Sequence, residues 1–339
     1  MTPFERMQKT VARNNDGTPL FSPAIYDMKP ALAGKPAHLF GQNADDVALA
    51  MSRELNELGN DVLISAYDIY NVEAEVLGCT VHRSADIPMP KITAPVIDSL
   101  ADIGALALPR SPQGRMPVFI EAAAAAAKGC PGAVIAGSIS GPFSIASHVY
   151  PKEKLLIDMM MDPHAVSKLL RMCTDTVLVY ARAFAERSIG VFVFDSFIAP
   201  PLLSPELYRT LVLPLHKEIM VSAKAYGAPM TALISGGNTP PIFDDMKASG
   251  ADHFILDYPV PIDEMKRILS STNAAIRVNI DPQVISEGTP QTIGSHMKDF
   301  LSALGHHRNL LVGSGILPMH TPVVNIQAAK RALMECYPK

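Results

Sequence analysis

Polar side chains that follow short apolar runs are the residues in this sequence best placed to do chemistry. Two of them are carboxylates: Asp68 follows Leu63–Ala66, and Asp195 follows Val191–Phe194. A carboxyl group at the end of a buried strand can exchange a proton with a bound substrate. Asp68 equally fits a helix cap, whereas the next helix start, Ser204, lies too far along the chain for Asp195 to cap it. We predict an acid/base pair of Asp68 and Asp195.

Comparable positions at the ends of other runs predict substrate-binding side chains around this pair. They are Tyr67, Tyr70, His148, Ser196, Ser235, Asn238, Asp257, Asn279, Asp281, Ser314 and His320. Simpler roles stay open for several of them. Asp257 also fits a helix cap, and His148 and His320 also fit surface or hydrogen-bonded histidines. The Gly236–Gly237 pair fits either an anion-binding turn or an ordinary tight turn.

The cysteines and the known catalytic motifs narrow the chemistry further. The four cysteines are scattered, without a CxxC pair, at Cys79, Cys130, Cys173 and Cys336. Such a small number excludes a disulfide scaffold at this length and is typical of a reducing cytoplasm. No HExxH, GxSxG or kinase motif set is present, so those mechanisms have no support.

Composition and charge set the broad class of the protein. The 339 residues are 48% hydrophobic, which is enough for a sizeable core. Lys and Arg number 29 against 33 Asp and Glu, with no basic block, which argues against a nucleic-acid binder. The sequence shows neither a signal peptide nor an apolar run of about 20 residues. We therefore expect a soluble cytoplasmic protein.

Short β-branched runs alternate with longer helical patterns along most of the chain. Strands are predicted at Asp61–Ala66, Ala133–Ala136, Val191–Phe194, Met230–Ile234, His253–Leu256, Ala275–Asn279 and Asn309–Val312. Helices are predicted at Ala122–Lys128, Asp162–Arg187, Pro205–Ala225, Asp263–Ser270, Thr289–Leu304 and Pro322–Glu335. Several strands are continuous apolar runs, which is typical of a parallel sheet covered on both faces.

This alternation predicts a single α/β domain over residues 1–339, a (β/α)8 TIM barrel with an N-terminal helical extension over residues 1–60. A doubly wound open sheet is the rival, but no GxGxxG or Walker A motif accompanies the strands. In a (β/α)8 barrel the active site lies at the C-terminal ends of the strands. The candidate side chains above would therefore converge there.

A series of short motifs runs through nearly the whole chain in a recognisable order. The motifs are Tyr67-Asp68-Ile69, Glu73-Ala74-Glu75, Leu77-Gly78-Cys79, Gly141–Ala146, Leu203–Glu206, Gly236–Asn238, Asn279–Pro282, Gly288–Pro290, Gly313–Pro322 and Asn325-Ile326. In order and spacing they resemble the uroporphyrinogen decarboxylase superfamily of (β/α)8 barrels. That superfamily includes the decarboxylase of haem biosynthesis and the cobamide-dependent methyltransferases.

The resemblance is closer to the methyltransferase branch. The decarboxylase uses N-terminal arginines to hold a substrate with eight carboxylates, and bidentate arginines suit that task. The comparable segment here, Pro19–Tyr26, contains no arginine, whereas Glu73–Cys79 is similar to the methyltransferases. The resemblance thus implies methyl transfer between a small substrate and a corrinoid (cobalamin) on a partner protein. It also implies a homodimer.

The resemblance further implies a zinc site, which this sequence alters. In the thiol-using methyltransferases a His-x-Cys pair and a later Cys hold a zinc ion that activates the thiol. The comparable positions here are Leu233, Ser235 and Ser314, so we predict no zinc at that site. Two alternatives stay open: a metal-free decarboxylase acting on uroporphyrinogen or a smaller cyclic acid, and a non-catalytic binding protein.

Overall fold

Eight parallel strands form the centre of the fold in the computed structural model, which describes residues 1–85 and 89–337. The strands are β1 (Leu20–Ala24), β2 (Val62–Ser65), β5 (Val134–Ser140), β6 (Gly190–Phe194), β7 (Thr231–Ile234), β8 (His253–Leu256), β9 (Ala275–Ile280) and β10 (Leu310–Ile316). Two further strands, β3 (Val81–His82) and β4 (Lys91–Ile92), form a small antiparallel pair outside this sheet.

The large sheet curves into a barrel with the strand order β1-β10-β9-β8-β7-β6-β5-β2. The two end strands approach each other, since the backbone N–H of Asp61 donates to the carbonyl of Phe21 at 2.8 Å. This arrangement confirms the predicted (β/α)8 TIM barrel. The open-sheet alternative is wrong because its two edges would lie apart.

Helices surround the barrel and connect its strands. The α-helices are α1 (Pro3–Val11), α2 (Lys29–Ala33), α3 (Ala44–Leu58), α4 (Asn71–Val76), α5 (Met116–Gly129), α6 (Pro142–Val149), α7 (Lys152–Met161), α8 (Pro163–Ala185), α9 (Pro205–Leu207), α10 (Leu213–Ala225), α11 (Phe243–Lys247), α12 (Ile262–Ser271), α13 (Pro282–Glu287), α14 (Pro290–Leu304) and α15 (Val323–Cys336). A π-helical turn over Tyr208–Val212 interrupts the helix predicted at Pro205–Ala225. Within the described ranges, no helix is both long enough and apolar enough to span a bilayer.

Side chains alternate along each strand between the barrel interior and the helices. On β6, Phe192 and Phe194 belong to the interior cluster, while Val191 and Val193 pack against the surrounding helices. Both faces are therefore apolar, which explains why the strands are continuous hydrophobic runs in the sequence. Polar residues that face the barrel interior are therefore exceptions to this apolar pattern.

The N-terminal segment, residues 1–60, contains the predicted helices and also supplies one strand of the barrel. Strand β1 lies within residues 1–60 and was missed because Pro23 and Ser22 interrupt its apolar pattern. Proline lacks a backbone donor, and the pairing of β1 with β10 shifts register directly after Pro23. Helix α1 closes the other end of the barrel, with Met7 in the interior cluster.

Candidate functional site

A cavity of about 500 Å³ opens at the C-terminal ends of the barrel strands. Its polar lining consists of Tyr26, Asp27, Tyr70, Ser196, Asp257, Tyr258, Arg277, Asn279 and Ser314. Five of these were predicted from sequence as binding residues: Tyr70, Ser196, Asp257, Asn279 and Ser314. The cavity thus lies where a (β/α)8 barrel places its chemistry.

Arg277 is the cavity residue that the sequence analysis missed most clearly. It lies on β9, where Ile276 and Val278 face the helices, so that Arg277 and Asn279 face inward. Only 3% of the Arg277 surface is exposed. The signal in the sequence is a lone arginine inside an apolar strand. It was missed because only residues at the ends of strands were considered as candidates.

Asp257 and Asn279 form a polar part of the cavity lining near its mouth. The amide of Asn279 donates to Asp257 Oδ1 at 3.1 Å, and the backbone N–H of Gly237 donates to Asp257 Oδ2 at 3.2 Å. The Oδ1 atom of Asn279 is buried and accepts no hydrogen bond from the described residues. An acceptor of this kind is available for a ligand donor.

Tyr70 forms an aromatic wall of the cavity. Its backbone has a φ of 77°, in the left-handed region that non-glycine residues seldom adopt. Its hydroxyl donates to Ser196 Oγ at 2.6 Å, and its ring stacks on Phe197 with centroids 5.9 Å apart. His148 packs beside the same ring at 5.7 Å but does not line the cavity. Burial and the nearby Lys152 lower the pKa of His148 to about 4.

Asp68 lies beside the cavity rather than in it. Its Oδ2 atom is 2.5 Å from Nη1 of Arg115, and its Oδ1 atom accepts a hydrogen bond from the amide of Asn71. Burial raises the pKa of Asp68, and the Arg115 charge opposes that rise. The carboxylate of Asp68 is therefore already paired with the buried side chains of Arg115 and Asn71.

Asp195 is also absent from the cavity lining. The sequence argument against a capping role considered only the next helix along the chain, and the surroundings of Asp195 correct it. Its side chain makes no capping hydrogen bond to the short 3-10 helix that follows it, but it accepts hydrogen bonds at the N-terminus of α6, whose own N-cap residue is Gly141. The backbone N–H and the hydroxyl of Ser144 donate to Asp195 Oδ1 at 2.8 and 2.6 Å, and the N–H of Phe143 donates to Oδ2 at 3.3 Å. A capping carboxylate satisfies backbone donors that the helix leaves free.

The other predicted binding residues lie away from the cavity lining. Tyr67 is buried, and its hydroxyl donates to the carbonyl of Ala37 at 3.0 Å. Asp281 caps α13 by accepting from the N–H of Gln283 at 2.9 Å. The remaining residues outside the lining are Ser235, which is fully buried, and Asn238 and His320, which are exposed.

The positions compared with a family zinc site do not fit a thiol-activating zinc centre. Leu233 packs in the core outside the barrel, and the inward residues at the same spacing are Ile234, at the end of β7, and Gly236, just beyond it. Neither offers a donor atom, and the hydroxyl of Ser314 is a poor zinc ligand. In the described ranges, no three His, Cys, Asp or Glu side chains are grouped to hold a metal ion.

Comparison with known proteins identifies the family. The profile of the uroporphyrinogen decarboxylase (URO-D) family matches residues 32–335. The methylcobamide:CoM methyltransferase MtbA of Methanosarcina acetivorans is 27% identical over 286 residues, covering 82% of this chain and 80% of that protein. A uroporphyrinogen decarboxylase of Myxococcus xanthus is 27% identical over 305 residues, covering 86% and 84%.

The comparison with solved structures concerns the fold. The solved structure of a methyltransferase from Methanosarcina mazei superimposes with a TM-score of 0.86 at 22% identity, covering 99% of both chains. This agreement extends over the barrel and the N-terminal helices. The chain therefore belongs to the uroporphyrinogen decarboxylase family.

Proposed function

We propose that this protein is a methyltransferase that moves a methyl group between a small substrate in the barrel cavity and a corrinoid on a partner protein. The observation that carries this proposal is the cavity itself, which has room for a small molecule and, among its described lining residues, contains one cationic side chain. The similarity to MtbA, a methylcobamide:CoM methyltransferase by name, supports the same branch of the family.

The charge of the cavity disfavours uroporphyrinogen as the substrate. Arg277 is the one lysine or arginine among the described residues that line it, whereas Asp27 and Asp257 are both acidic. A substrate with eight carboxylates needs several arginine partners, which the described lining does not offer. The predicted acid/base pair for a decarboxylase, Asp68 and Asp195, does not line the cavity either.

The mouth of the cavity suits the apolar face of a corrinoid. Tyr258 and Ile316 line the cavity and are 44% and 52% exposed, and Met319 beyond them is 40% exposed. Exposed apolar side chains grouped at a cavity mouth mark a binding surface. The corrinoid, when docked there, supplies the metal that accepts or donates the methyl group.

The side chains of the cavity can manage the proton that accompanies the transfer. Burial raises the pKa of Asp27, and its buried Oδ1 atom has no hydrogen-bond partner among the described residues. When a methyl group leaves the substrate, the electron pair of the broken bond stays on the substrate heteroatom, which takes up a proton. Asp27 is placed to supply that proton, and Tyr70 and Ser196 hold the substrate beside it.

Localisation and assembly stay predictions. All four cysteines are free, and Cys79, Cys130 and Cys173 are buried. Free thiols are in keeping with the predicted cytoplasmic setting. The homodimer implied by the family resemblance is testable by measuring the mass of the protein in solution.

The experiment mixes the purified protein with cob(I)alamin and a panel of methylated donors, and follows the cobalt absorbance. We expect methylation with at least one donor, and a slower reaction for Asp27→Asn than for Ser235→Ala, whose side chain lies outside the cavity lining. If the cobalt absorbance changed with none of the donors, the proposal would be contradicted. Release of carbon dioxide from a carboxylated substrate would indicate a decarboxylase, and saturable binding without turnover would indicate a binding protein.

A second pair of variants tests the docking surface. Ile316→Glu places a charge at the apolar mouth, and Val221→Glu places one at an equally apolar, 67% exposed position on α10. We expect the first variant to raise the KM for the corrinoid and the second to leave it unchanged. Equal effects of the two variants would contradict docking at the mouth.

A further inference from the structure

Arg277 carries a buried charge that the described residues leave without a counter-charge. No ion pair in the described part of the chain includes it, and its Nε atom has no hydrogen-bond acceptor there. Arginine stays protonated in proteins, and an unpaired buried charge is strongly unfavourable. The neighbouring His253 cannot supply a counter-charge, because histidine is either neutral or cationic, and burial and the Arg277 charge lower its pKa to about 3. The guanidinium is therefore prepared for an anion from outside the protein.

The surroundings of Arg277 are built to admit that anion. A Cβ atom at Gly313 would lie 2.7 Å from Arg277 Cδ, so the glycine leaves the space that the arginine occupies. The Tyr26 hydroxyl lies against the guanidinium, whose charge opposes the rise that burial causes in the pKa of Tyr26. The Ser314 hydroxyl is buried in the same cavity without a hydrogen-bond partner in the described chain. A cation and two hydroxyl donors together suit a carboxylate.

The opposite part of the cavity has the complementary chemistry. Asp257 belongs to none of the ion pairs that the described residues form. In the register of β8 and β9, Ile255 is opposite Arg277, so Asp257 lies two residues, about 6–7 Å, farther toward the mouth. The charge along the cavity therefore changes from positive inside to negative near the mouth. The ring of Tyr258, the residue after Asp257, also lines the cavity, and aromatic faces attract ammonium groups.

We propose that the cavity binds a small zwitterion, an N-methylated ammonium carboxylate, with its carboxylate on Arg277 and its ammonium group facing Asp257. This assignment deepens the proposed function and rests on it only for the fate of the methyl group. An ammonium group in this orientation presents its methyl groups to the mouth, where the corrinoid docks. The single arginine at the inner end selects one carboxylate over several.

Calorimetric titration of the full-length protein tests this charge pattern with matched probes. Glycine betaine carries both charges, 3,3-dimethylbutyrate replaces its nitrogen by carbon, and choline lacks its carboxylate. We expect glycine betaine or one of its close analogues, dimethylglycine and proline betaine, to bind at least about tenfold more tightly than either single-charge probe. Equal affinity for 3,3-dimethylbutyrate, or no saturable binding of any of the three zwitterions, would overturn the proposal.

The variant Arg277→Met separates a binding role from a structural one. We expect it to weaken zwitterion binding by about 10- to 100-fold, the loss typical of a charge-assisted hydrogen bond. We also expect its melting temperature without ligand to equal or exceed that of the wild type, because an uncompensated buried charge is removed. A large fall in the melting temperature with unchanged binding would show that Arg277 is structural. Arg331→Met, which removes an exposed arginine on α15, is the matched control and should change neither quantity.

The two proposals fail in different ways. Zwitterion binding that depends on Arg277, without methyl transfer to cobalamin, would support this inference and contradict the methyltransferase function. Methyl transfer from an uncharged donor that Arg277→Met leaves unchanged would support the function and contradict the inference.

Discussion

Asp195 Oδ2 lies 2.9 Å from Nε2 of His216, and both side chains are fully buried. The other ring nitrogen of His216 is 3.2 Å from the hydroxyl of Tyr208, in the π-helical turn. Together with the cap on Ser144, these contacts join β6, α6 and α10 through one carboxylate. The geometry therefore favours a structural role for Asp195 over the acid/base role expected from the sequence.

Replacing Asp195 by Asn should lower the free energy of unfolding by about 2–3 kcal/mol, because one amide end turns a donor toward backbone N–H groups. Urea denaturation measures this loss. Asp281→Asn is the matched control: Asp281 caps α13 at the surface, and Asn caps as well as Asp, so little change is expected. If Asp195→Asn instead kept its stability but abolished turnover, the acid/base prediction would be right.

Gly141 should tolerate no side chain. A Cβ atom there would lie 2.3 Å from the Cβ and Cγ atoms of Asp195, inside a packed region that cannot shift cheaply. We expect Gly141→Ala to destabilise the protein by about 1–3 kcal/mol or more, the range for overpacking. Gly294→Ala, in α14 with open space around it, should stabilise it by about 0.5–1 kcal/mol. Thermal melts of both variants test the contrast, and similar melting temperatures would contradict it.

The sequence was sufficient for the barrel but only partly for the site. Apolar runs such as His253–Leu256 identify buried strands directly, and that strand has the predicted bounds. Asp68 and Asp195 show why the site was harder. A position after a strand places a residue at the correct end of the barrel, but it does not show which neighbours will use its carboxylate. Arg115 and Ser144, which take those carboxylates, lie about 50 residues away in the chain.

Arg277 illustrates a different limit. Its inward direction follows from the alternation along β9 and could have been noticed in the sequence. The lack of a counter-charge for Arg277 could not have been noticed in the sequence. It depends on which side chains of seven other strands reach the same cavity. At the positions compared with the family zinc site, the role of a residue also depends on the direction in which its side chain points. Leu233 and Ile234 are adjacent in sequence but face opposite sides of the barrel wall.

The buried ion pair of Lys29 and Glu54 yields a stability prediction that does not depend on the function. Lys29 Nζ lies 3.3 Å from Glu54 Oε2, and the two side chains are almost completely buried. Burial lowers the pKa of Lys29 and raises that of Glu54, and each charge opposes the shift of the other. Lys29→Met should therefore cost about 3–5 kcal/mol by leaving the carboxylate unpaired.

Adding Glu54→Gln to that variant should recover part of the loss, because the isolated charge is removed as well. Denaturation of the wild type, the two single variants and the double variant forms the cycle that measures this coupling. Strictly additive effects would show that the pair does not interact.

The pH dependence of stability should contain a contribution from His148. Burial, followed by the charge of Lys152, lowers the pKa of His148 to about 4, whereas an unfolded histidine titrates near 6.5. Between these two values the unfolded chain binds a proton that the folded chain does not. The free energy of unfolding therefore falls as the pH decreases from about 6.5 to about 4, and this contribution is fully present above that window.

His148→Phe removes this contribution while keeping a ring against Tyr70 and Phe197. We expect the wild type to lose about 1–3 kcal/mol more stability than the variant between about pH 7 and pH 4. Urea denaturation at a series of pH values measures the two curves. His320→Gln, at an exposed position, should follow the wild type. Parallel curves for the wild type and His148→Phe would show that His148 is protonated equally in the folded and unfolded states, and that the buried ring does not promote acid unfolding.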